Sequence, residues 1–600
     1  MMPITTDTEE TRYAAMDWSL LLRLLRYTLP HRRLLLPALL LLPLAALIQF
    51  GQPMVLQYAV DHHFVTGNMN GFGGLLALFL LLIGLQFVIG YSQSLLNAVL
   101  GQKVIHDLRA DLFAHLLSLE AAFFDRHASG RLTNRLSNDS EAISQMIGAG
   151  LINLIGDLLL LIAIVIGMLL LSPPLTLIIA LTMPLLIVST LLIARRMRLS
   201  QRDGRLLQSR MANLLTEEID GRDVVQLCQR QSHNIAEFDQ LNRGYLNAAV
   251  VSNFYEALQV SLVEAISVTM VVLLFWYGAT LMDDPGAMAS GGVTVGILVA
   301  FIDYIRRLFM PIRDLSGKFT TMQAAMTALE RIFELLDTPA TFGDGPQTRP
   351  ELSSRVRHGA ITLRGVYFGY GQDPVLHAID LDIRAGERVA LVGATGAGKS
   401  TLIALLNRNY EVSQGEITID GVDIRALPLQ RLRRLIGVVQ QETFLFSGTI
   451  ADNISLYDPA IAPQRIRWAL EQVGAMSFIN TLADGIHTQL TERGNNLSSG
   501  QRQLLGIARA FAFDPLILVM DEATSSVDSA SERLIQQAID RLLQQRTALI
   551  IAHRLSTILD ADRIVVLSRG RIAEQGQHEA LIQQNGLYAQ LFRLQFGQDS

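Results

Sequence analysis

The sequence predicts a chain of two parts: an α-helical domain that crosses a membrane six times, then an α/β domain with a phosphate-binding loop. Three observations predict this organisation. Apolar residues make up 50% of the 600 residues and charged residues only 17%, which is unusual for a soluble protein. Nearly all long apolar runs precede residue 325. Beyond residue 336, short β-branched runs alternate with helical patterns, as in domains with a largely parallel sheet.

Six apolar segments are expected to span the membrane. Several approach the roughly 20 residues that a helix needs to cross the hydrocarbon core. The sixth is the weakest, because it carries Asp303 and is followed by Pro311. Buried helices of a soluble protein are the alternative interpretation. The predicted spans are Leu34–Phe50, Leu75–Gly90, Leu151–Leu171, Leu175–Ala194, Val260–Tyr277 and about Val293–Met310.

Charge in the connecting segments predicts the orientation of these spans. Gln102–Arg135 and Arg195–Arg243 are rich in Arg, whereas the alternate connections contain no Lys or Arg. The positive-inside rule therefore places both Arg-rich connections, both termini and the α/β domain in the cytoplasm. The amphipathic segment Trp18–Leu29 is expected to lie along the membrane interface. The acidic start of the chain does not resemble a signal peptide.

The predicted domain boundaries follow the changes in composition. Residues 1–30 form a cytoplasmic N-terminus with an amphipathic helix, 31–336 the transmembrane domain, 337–358 a polar linker and 359–600 the α/β domain. The net charge of -6, without a basic tail, argues against nucleic acid as a partner. Cys228 is the only cysteine, so an internal disulfide is excluded.

The segment "ERVALVGATGAGKSTLIALL" is typical of a strand, a glycine-rich turn and a helix, and it fits the pattern G-x-x-x-x-G-K-[ST]. Glycines let backbone N–H groups wrap phosphates. We expect Lys399 to reach the outer phosphates and the Ser400 hydroxyl to ligate Mg²⁺. A chance glycine-rich turn is the alternative. The residues assigned to this loop are Gly393, Thr395, Gly396, Ala397, Gly398, Lys399, Ser400 and Thr401.

Two further strands are predicted to bring polar residues to the same edge of the sheet. "PLILVMDEATSSVD" ends an apolar strand in Asp521 and Glu522, and "ALIIAHRLST" ends another in His553. At the carboxyl edge of a parallel sheet, Asp521 is expected to hold the metal and Glu522 to polarise the attacking water. His553 is expected to contact the γ-phosphate and help hold that water. The alternatives are acids that cap a helix and a packed or surface histidine.

The stretch "LSSGQ" resembles the signature motif of ATP-binding cassette (ABC) proteins. Other landmarks of that family's nucleotide-binding domain occur in order. Tyr370 matches the aromatic residue that stacks on adenine, and Asp528 matches the loop that crosses between paired cassettes. Gln441 matches the glutamine that senses metal and water, with Gln440 as the alternative. The resemblance implies an ATPase that uses ATP and Mg²⁺, with Ser400, Gln441 and Asp521 at the metal.

In that family the signature motif closes over ATP held by a partner cassette, so the resemblance implies a dimer. Ser499 replaces a glycine usual in the family, and Thr491 stands where glycine is common. In a heterodimer these changes would face only the partner's ATP, which favours a heterodimer; a homodimer is the alternative. The signature residues are Leu497, Ser498, Ser499, Gly500 and Gln501.

The membrane half resembles the exporters of this family, in which six spans precede one cassette. "FFDRHASGRLTNRLSND" (the first coupling loop) and "LLTEEIDGRDVVQL" (the second coupling loop) resemble the family's cytoplasmic loops. By this resemblance, long helices extend into the cytoplasm and end in short helices that dock on the cassettes. An ordinary Arg-rich surface is the alternative. The matching residues are Phe124, Asp125, Gly130, Leu132, Arg135, Asp139, Glu217 and Gly221.

The spans say less about the substrate. Glu256 and Glu264 lie eight residues apart on one broad helical face, and together with Phe275 they are candidates for a substrate cavity. Asp157 and Asp303 are further acids within the spans, where charges are costly. Interhelical hydrogen bonds, or a place near a water-exposed end, are the alternative role for these acids.

The resemblance implies an ATP-driven exporter half-transporter in a bacterial cytoplasmic membrane. It is most similar to the second subunit of heterodimeric multidrug exporters, which predicts amphipathic or hydrophobic small molecules as substrates. Paired cassettes would alternate a central cavity between inward- and outward-facing states. The alternatives are a lipid or peptide exporter or flippase of the same fold, a cassette ATPase that moves no substrate, and a regulatory subunit whose own ATP hydrolysis is dispensable.

Overall fold

The computed structural model describes residues 17–282, 293–340, 343–344, 347–371, 373–521, 529–552 and 554–596. The chain divides into two compact units. The first comprises Met1–Leu116 and Ser129–Thr338, and the second comprises Leu117–Ala128 and Pro339–Ser600. The short segment Leu117–Ala128, which the sequence places inside the transmembrane domain, therefore groups with the α/β unit.

Long helices dominate the first unit, as the apolar runs predict. Ser172 separates two of them, because its extended backbone precedes Pro173 and Pro174, and proline is tolerated in the first turn of a helix. Turns of π-helix interrupt the series at Val60–Phe64, Arg135–Asp139 and Met146–Leu151. The helices are α1 (Trp18–Thr28), α2 (Arg32–Ala59), α3 (Phe72–Ser118), α4 (Ala121–Arg126, in the second unit), α5 (Ser129–Asn134), α6 (Ser140–Gln145), α7 (Ile152–Leu171), α8 (Pro173–Asp220), α9 (Arg222–Leu227), α10 (Gln231–Met282) and α11 (Val295–Asp337).

Within the described residues, five helical segments are long and apolar enough to cross a membrane. They contain the first five predicted spans. The sixth predicted span forms the start of α11, which falls outside that group because Asp303, Arg306 and Arg307 lie in its apolar stretch. The five segments are Trp18–Phe64, Phe72–Ser118, Ser129–Leu171, Pro173–Asp220 and Gln231–Thr280.

Three charged residues of α11 have charged or polar partners: Asp303, Arg307 and Lys318. Arg307 pairs with Asp303 one turn earlier at 3.0 Å and donates to the Gln52 side chain of α2 at 2.8 Å. Lys318 forms an ion pair with Asp157 of α7. Paired charges are far less costly among apolar helices than isolated ones, so α11 packs against α2 and α7 despite its composition. For Asp157 this is the interhelical role that the sequence left as the alternative, whereas Asp303 pairs within its own helix.

Within the described residues, the second unit contains three sheets. Its main sheet has the strand order β12-β11-β3-β10-β9-β6, and every neighbouring pair except β11 and β12 is parallel. A second, antiparallel sheet has the order β2-β1-β4-β5, and β7 pairs with β8. All five residues of β10 are buried, as expected for a strand covered on both faces. The parallel α/β prediction is confirmed.

The strands of the second unit are β1 (Ile361–Tyr370), β2 (Asp373–Ile383), β3 (Arg388–Val392), β4 (Gln414–Ile419), β5 (Val422–Asp423), β6 (Ile436–Val439), β7 (Gly448–Thr449), β8 (Gln489–Leu490), β9 (Ile517–Asp521), β10 (Thr547–Ile551), β11 (Arg563–Ser568) and β12 (Arg571–Gly576). Its further helices are α12 (Lys399–Leu406), α13 (Leu429–Leu435), α14 (Ile450–Ser455), α15 (Pro463–Gln472), α16 (Met476–Ile479), α17 (Ser499–Phe513), α18 (Ser529–Leu542), α19 (Leu555–Leu559), α20 (His578–Gln583) and α21 (Leu587–Phe596).

Candidate functional site

The phosphate loop joins the buried strand β3 to helix α12. Gly398 is the N-cap of α12 and has a φ of 102°, a backbone conformation that favours glycine. A Cβ atom at this position would lie 2.6 Å from the Leu376 side chain. Glycine is therefore required for both conformation and space, and the free N–H groups at the start of α12 form the kind of site that binds anions.

Lys399 lies folded against the loop that it follows. Its Nζ donates to the carbonyl oxygens of Gly393 at 2.7 Å and Ala394 at 3.1 Å. Burial lowers the pKa of Lys399, while the charge of Asp521 acts in the opposite direction. A cation held close to its loop and partly removed from water is suited to contact phosphate oxygens.

Three predicted metal-site residues line a single cavity of about 640 Å³. Ser400 comes from the first turn of α12, Gln441 follows β6, and Asp521 ends β9. These residues meet because β6 and β9 are neighbours in the sheet. A hydroxyl, a carboxamide oxygen and a carboxylate are the hard oxygen donors that Mg²⁺ prefers, so the donor set fits the predicted metal. Gln440 lines the same cavity, and it remains the alternative to Gln441.

In the sequence, the predicted catalytic residues come just after β9 and β10, which are neighbouring strands of the main sheet. The register of β9 and β10 pairs Asp521 with Ile551, so both strands end at the same edge of the sheet. Glu522, His553 and Asp528 lie outside the described residues. Their assigned roles remain predictions.

Tyr370 lies at the edge of the antiparallel sheet, and its ring is 46% exposed. Its hydroxyl is 3.3 Å from the Thr401 hydroxyl of α12. The ring makes edge contacts with Phe368 and Tyr410, with centroid separations of 5.0 and 5.2 Å. An exposed ring fixed by other rings beside the phosphate loop is a suitable platform for a base.

The signature segment forms the start of α17. Ser498 is its N-cap and accepts from the Gln501 backbone N–H at 3.2 Å, while the Gln501 side chain accepts from the Ser498 N–H at 2.9 Å. This reciprocal capping box fixes the helix N-terminus. Leu497 and Gly500 are buried, whereas Ser498 is exposed and Ser499 is partly exposed. The predicted contact residues therefore line an open helix N-terminus.

Thr491 takes part in the same loop. Its hydroxyl donates to the Asn496 side-chain oxygen at 3.2 Å, and the Asn496 amide donates to the carbonyl oxygen of Gln489 at 3.2 Å. A glycine at position 491 would lack the first of these bonds. The residue that departs from the family pattern therefore ties the loop ahead of the signature to β8.

The first coupling loop joins the second unit through α4. Asp125 accepts a hydrogen bond from the Tyr410 hydroxyl, and Phe124 beside it is 43% exposed. Burial and the Asp125 carboxylate raise the pKa of Tyr410. Because Tyr410 also touches the Tyr370 ring, it connects the coupling helix to the predicted adenine platform. Sequence reasoning missed Tyr410, since no motif distinguishes it from the other tyrosines.

The remaining coupling residues lie in the first unit. Gly130 lies in α5, and Arg135 begins the π-helical turn that follows it. In the second coupling loop, the Gly221 N–H donates to the carbonyl oxygen of Glu217 at 2.8 Å, and Gly221 then caps α9. The candidate cavity residues Glu256, Glu264 and Phe275 are all exposed on α10. The structure does not bring these three into the cavities described below.

Comparison with known proteins covers both halves of the chain. Residues 35–312 match the ABC transporter transmembrane region, and residues 376–525 match the family described as ABC transporter. The uncharacterized ABC transporter ATP-binding protein YknV of Bacillus subtilis is 37% identical over 97% of this chain and 95% of its own length. The probable multidrug resistance ABC transporter ATP-binding/permease protein YheH of the same organism is 35% identical over 85% of this chain and 74% of its own length.

Two further similarities extend over nearly the whole chain. The ATP-dependent lipid A-core flippase of Chromobacterium violaceum is 34% identical over 97% of this chain and 98% of its own length. A solved structure of a bacterial Atm1-family ABC exporter with ATP bound is 29% identical, with a TM-score of 0.76 over 95% of this chain and 99% of that one. Because both halves match in the exporter order, transmembrane region first and cassette second, the chain belongs to the ABC transporter family as an exporter that couples ATP hydrolysis to transport.

Proposed function

We propose that this ABC exporter is one half of a dimeric transporter that moves amphipathic or hydrophobic small molecules, as multidrug exporters do, across a bacterial cytoplasmic membrane by alternating access. The observation that carries the energy-coupling part is the cavity of about 640 Å³ lined by Ser400, Gln441 and Asp521. The cavity adjoins the helix N-terminus and the lysine of the phosphate loop. We therefore expect the nucleotide phosphates to bind beside the oxygen ligands of the metal.

In the proposed reaction, each residue of this site has a separate task. Lys399 and the N–H groups of the loop hold the phosphates, while Ser400, Gln441 and Asp521 hold Mg²⁺. Bound Mg²⁺ supplies positive charge to the phosphate oxygens. Glu522 orients and polarises the attacking water, and His553 contacts the γ-phosphate. Tyr370 stacks on the adenine ring.

The signature helix supports a dimer with shared ATP sites. The N-terminus of α17 has a fixed cap and an exposed Ser498, which suits contact with the phosphate of nucleotide on a partner cassette. Ser499 and Thr491 replace glycines of the family pattern, so a heterodimer, in which these changes affect only one site, is proposed ahead of a homodimer.

The relatives support the proposed substrate class. YheH is named a probable multidrug resistance transporter, and this favours amphipathic or hydrophobic small molecules. The name of the Chromobacterium violaceum relative, a lipid A-core flippase, favours a lipid as the second candidate. In both cases an amphiphile crosses the membrane, so the two candidates require the same transport cycle.

The variant Glu522→Gln tests the proposed catalytic role. General base catalysis contributes about 10²–10⁴-fold to rate, so ATP hydrolysis by the reconstituted transporter should fall at least a hundredfold, with ATP retained on the protein. Glu579→Gln is the matched control, because Glu579 is exposed on α20. Unchanged turnover in Glu522→Gln would contradict the assignment and favour a subunit whose own hydrolysis is dispensable.

The partner is tested by affinity purification of the tagged chain from its native membrane. A second half-transporter recovered in equal amount supports the heterodimer. Recovery of the tagged chain only with untagged copies of itself contradicts it and establishes the homodimer.

A further inference from the structure

Two cavities, each lined by both polar and apolar residues, adjoin each other among the helices of the first unit. The larger, about 470 Å³, lies between α3 and the stretch from Ser144 in α6 to Asn153 in α7. The smaller, about 210 Å³, is lined by residues of α2, α3, α7 and α11. Gln93 and Asn153 line both, so the two are neighbours around one pair of side chains. The larger falls in the range of small-molecule sites, roughly 300–1,000 Å³.

Side-chain carboxamides supply five of the ten residues that line the larger cavity and three of the ten that line the smaller one. Each carboxamide can donate and accept hydrogen bonds. The only charged residues among the described lining residues are Lys318 and Asp157, which form an ion pair with each other, and the lining contains no aromatic ring. The carboxamide residues are Gln49, Gln93, Asn97, Gln102, Gln145 and Asn153.

Asn97 distinguishes the lining of these cavities from the polar contacts that only hold the same helices together. Polar side chains often join membrane helices only by hydrogen bonds, and Gln52 does so, donating to Gln86 at 2.7 Å and accepting from Arg307 at 2.8 Å. Asn97 is only 3% exposed and its amide donates to Asn153 at 3.2 Å, but its side-chain oxygen has no hydrogen-bond partner among the described residues. A buried acceptor without a partner requires an explanation. This oxygen has almost no accessible surface, so a donor group on a bound molecule reaches it only when the Asn97 side chain turns toward the cavity that it lines.

The position of the larger cavity suits a molecule with an apolar part. Gln93 and Asn97 follow directly on the apolar stretch of α3 that ends at Gly90. Phe87 and Tyr91 on the same helix are 73% and 63% exposed. Gly90 of the same helix lines the cavity, so we expect an apolar tail of a bound molecule to run along the exposed surface of α3.

We propose that the two cavities bind the polar group of the exported substrate, and that this group is neutral and bears hydroxyls or amides. The proposal rests on the proposed export function and names the substrate class for it. Carboxamides satisfy the donors and acceptors of such a group together. An isolated cation would instead require free carboxylates or aromatic faces, which the described lining does not offer, because Asp157 is already paired with Lys318.

The test measures stimulation of ATP hydrolysis by the full-length transporter in lipid nanodiscs, with any partner chain that copurifies. The neutral probes are maltose and acetyl-trialanine amide as free solutes and diglucosyl diacylglycerol as a lipid; tetraphenylphosphonium is the cationic probe. Asn97→Leu removes the buried acceptor, and Gln145→Leu changes an exposed lining residue with less risk to folding. Gln86→Leu is the matched control, since Gln86 lies on the same helix as Asn97 but outside both cavities.

We expect a neutral probe to stimulate hydrolysis, with a half-saturating concentration about tenfold higher in Asn97→Leu and Gln145→Leu, as for the loss of one good hydrogen bond. Gln86→Leu should match the wild type. Stimulation by the glycolipid alone identifies a lipid headgroup as the source of the polar group. Stimulation by maltose or the peptide amide identifies a free solute.

The inference is overturned if tetraphenylphosphonium alone stimulates hydrolysis, or if no neutral probe does. It is also overturned if the half-saturating concentration of the neutral probe is the same in all three variants. In that case, uptake of tetraphenylphosphonium into inverted vesicles is measured. Uptake that requires ATP and is lost in Glu522→Gln shows that the proposed export function holds even though this inference fails. If no probe is taken up into the vesicles, and ATP hydrolysis in Glu522→Gln is unchanged, the proposed function itself is overturned.

Discussion

The two coupling loops carry helices of equal length, six residues each in α4 and α9, but the surroundings of these helices differ. The helix of the first loop groups with the second unit, where Tyr410 donates a hydrogen bond to Asp125. The helix of the second loop belongs to the first unit. Its apolar side chains are open to solvent, with Val224 63% and Leu227 84% exposed.

The difference indicates what a single chain lacks. One exposed apolar residue is ordinary, but Ile219, Val224 and Leu227 are exposed within nine residues of one loop. Clustered exposed apolar side chains mark contact surfaces. We infer that the second loop presents a surface for another chain, as the proposed dimer requires, whereas Asp125 of the first loop has its hydrogen-bond partner within its own chain.

The variant Leu227→Asp should have the largest effect on this comparison. An unpaired carboxylate in an apolar contact costs several kcal/mol, so dimer recovery and ATP hydrolysis should each fall at least tenfold. Size-exclusion chromatography of the complex and an ATPase assay measure both.

The variant Leu594→Asp is the matched control, because Leu594 is equally exposed, at 83%, but lies in the last described helix. We expect it to leave assembly unchanged. Wild-type assembly of Leu227→Asp would contradict the comparison, and so would an equal loss in both variants.

The sequence predicted those parts of the site that depend on local spacing. The phosphate loop needs glycines at fixed positions between a strand and a helix, and the structure has that strand, the left-handed Gly398 and that helix. The sequence named Ser400 from the loop motif and Asp521 from the end of an apolar strand, but it named Gln441 only through the family resemblance. The order of strands in the sheet, which no local signal encodes, brings them into one cavity.

Features that rest on contacts between distant single residues were not predicted. Asn97 and Asn153 are single polar residues beside apolar runs, and their hydrogen bond depends on how α3 packs against the start of α7. Lys318 neutralises Asp157 from 161 residues away. Periodicity identifies which face of a helix is apolar but not which helix that face meets, so neither the ion pair nor the two cavities could be derived from pattern.

The reactivity of the only cysteine directly measures whether the second loop is buried by a partner. Cys228 is exposed and caps the end of α9. We expect maleimide to modify it several-fold more slowly in the assembled transporter than in the isolated chain, since interface contacts exclude reagent. A cysteine placed at Leu594 in a Cys228→Ser background is the control. Equal rates at Cys228 in both states would contradict a covered second loop.

The smallest expected effect concerns the first loop, where the contact lies within one chain. Tyr410→Phe keeps the ring against Tyr370 and Phe368 but removes the hydrogen bond to Asp125. One hydrogen bond contributes about 0.5–1.5 kcal/mol, and Asp125 is exposed, so the lower end applies. We expect kcat for ATP hydrolysis to fall about threefold with KM unchanged. Tyr457→Phe, at a tyrosine 70% exposed, is the control.

The pH dependence of the same variant provides an independent check on the role of this hydrogen bond. Burial and Asp125 raise the pKa of Tyr410 above the usual tyrosine value of about 10. A raised pKa means that the bond contributes fully below the unfolded value and is lost only as pH rises through the folded one. The ratio of wild-type to Tyr410→Phe activity should therefore stay constant between about pH 7 and 9. If the ratio falls to one within that window, the hydrogen bond that the Tyr410 hydroxyl donates to Asp125 does not support activity. The first loop is then held by its apolar contacts alone.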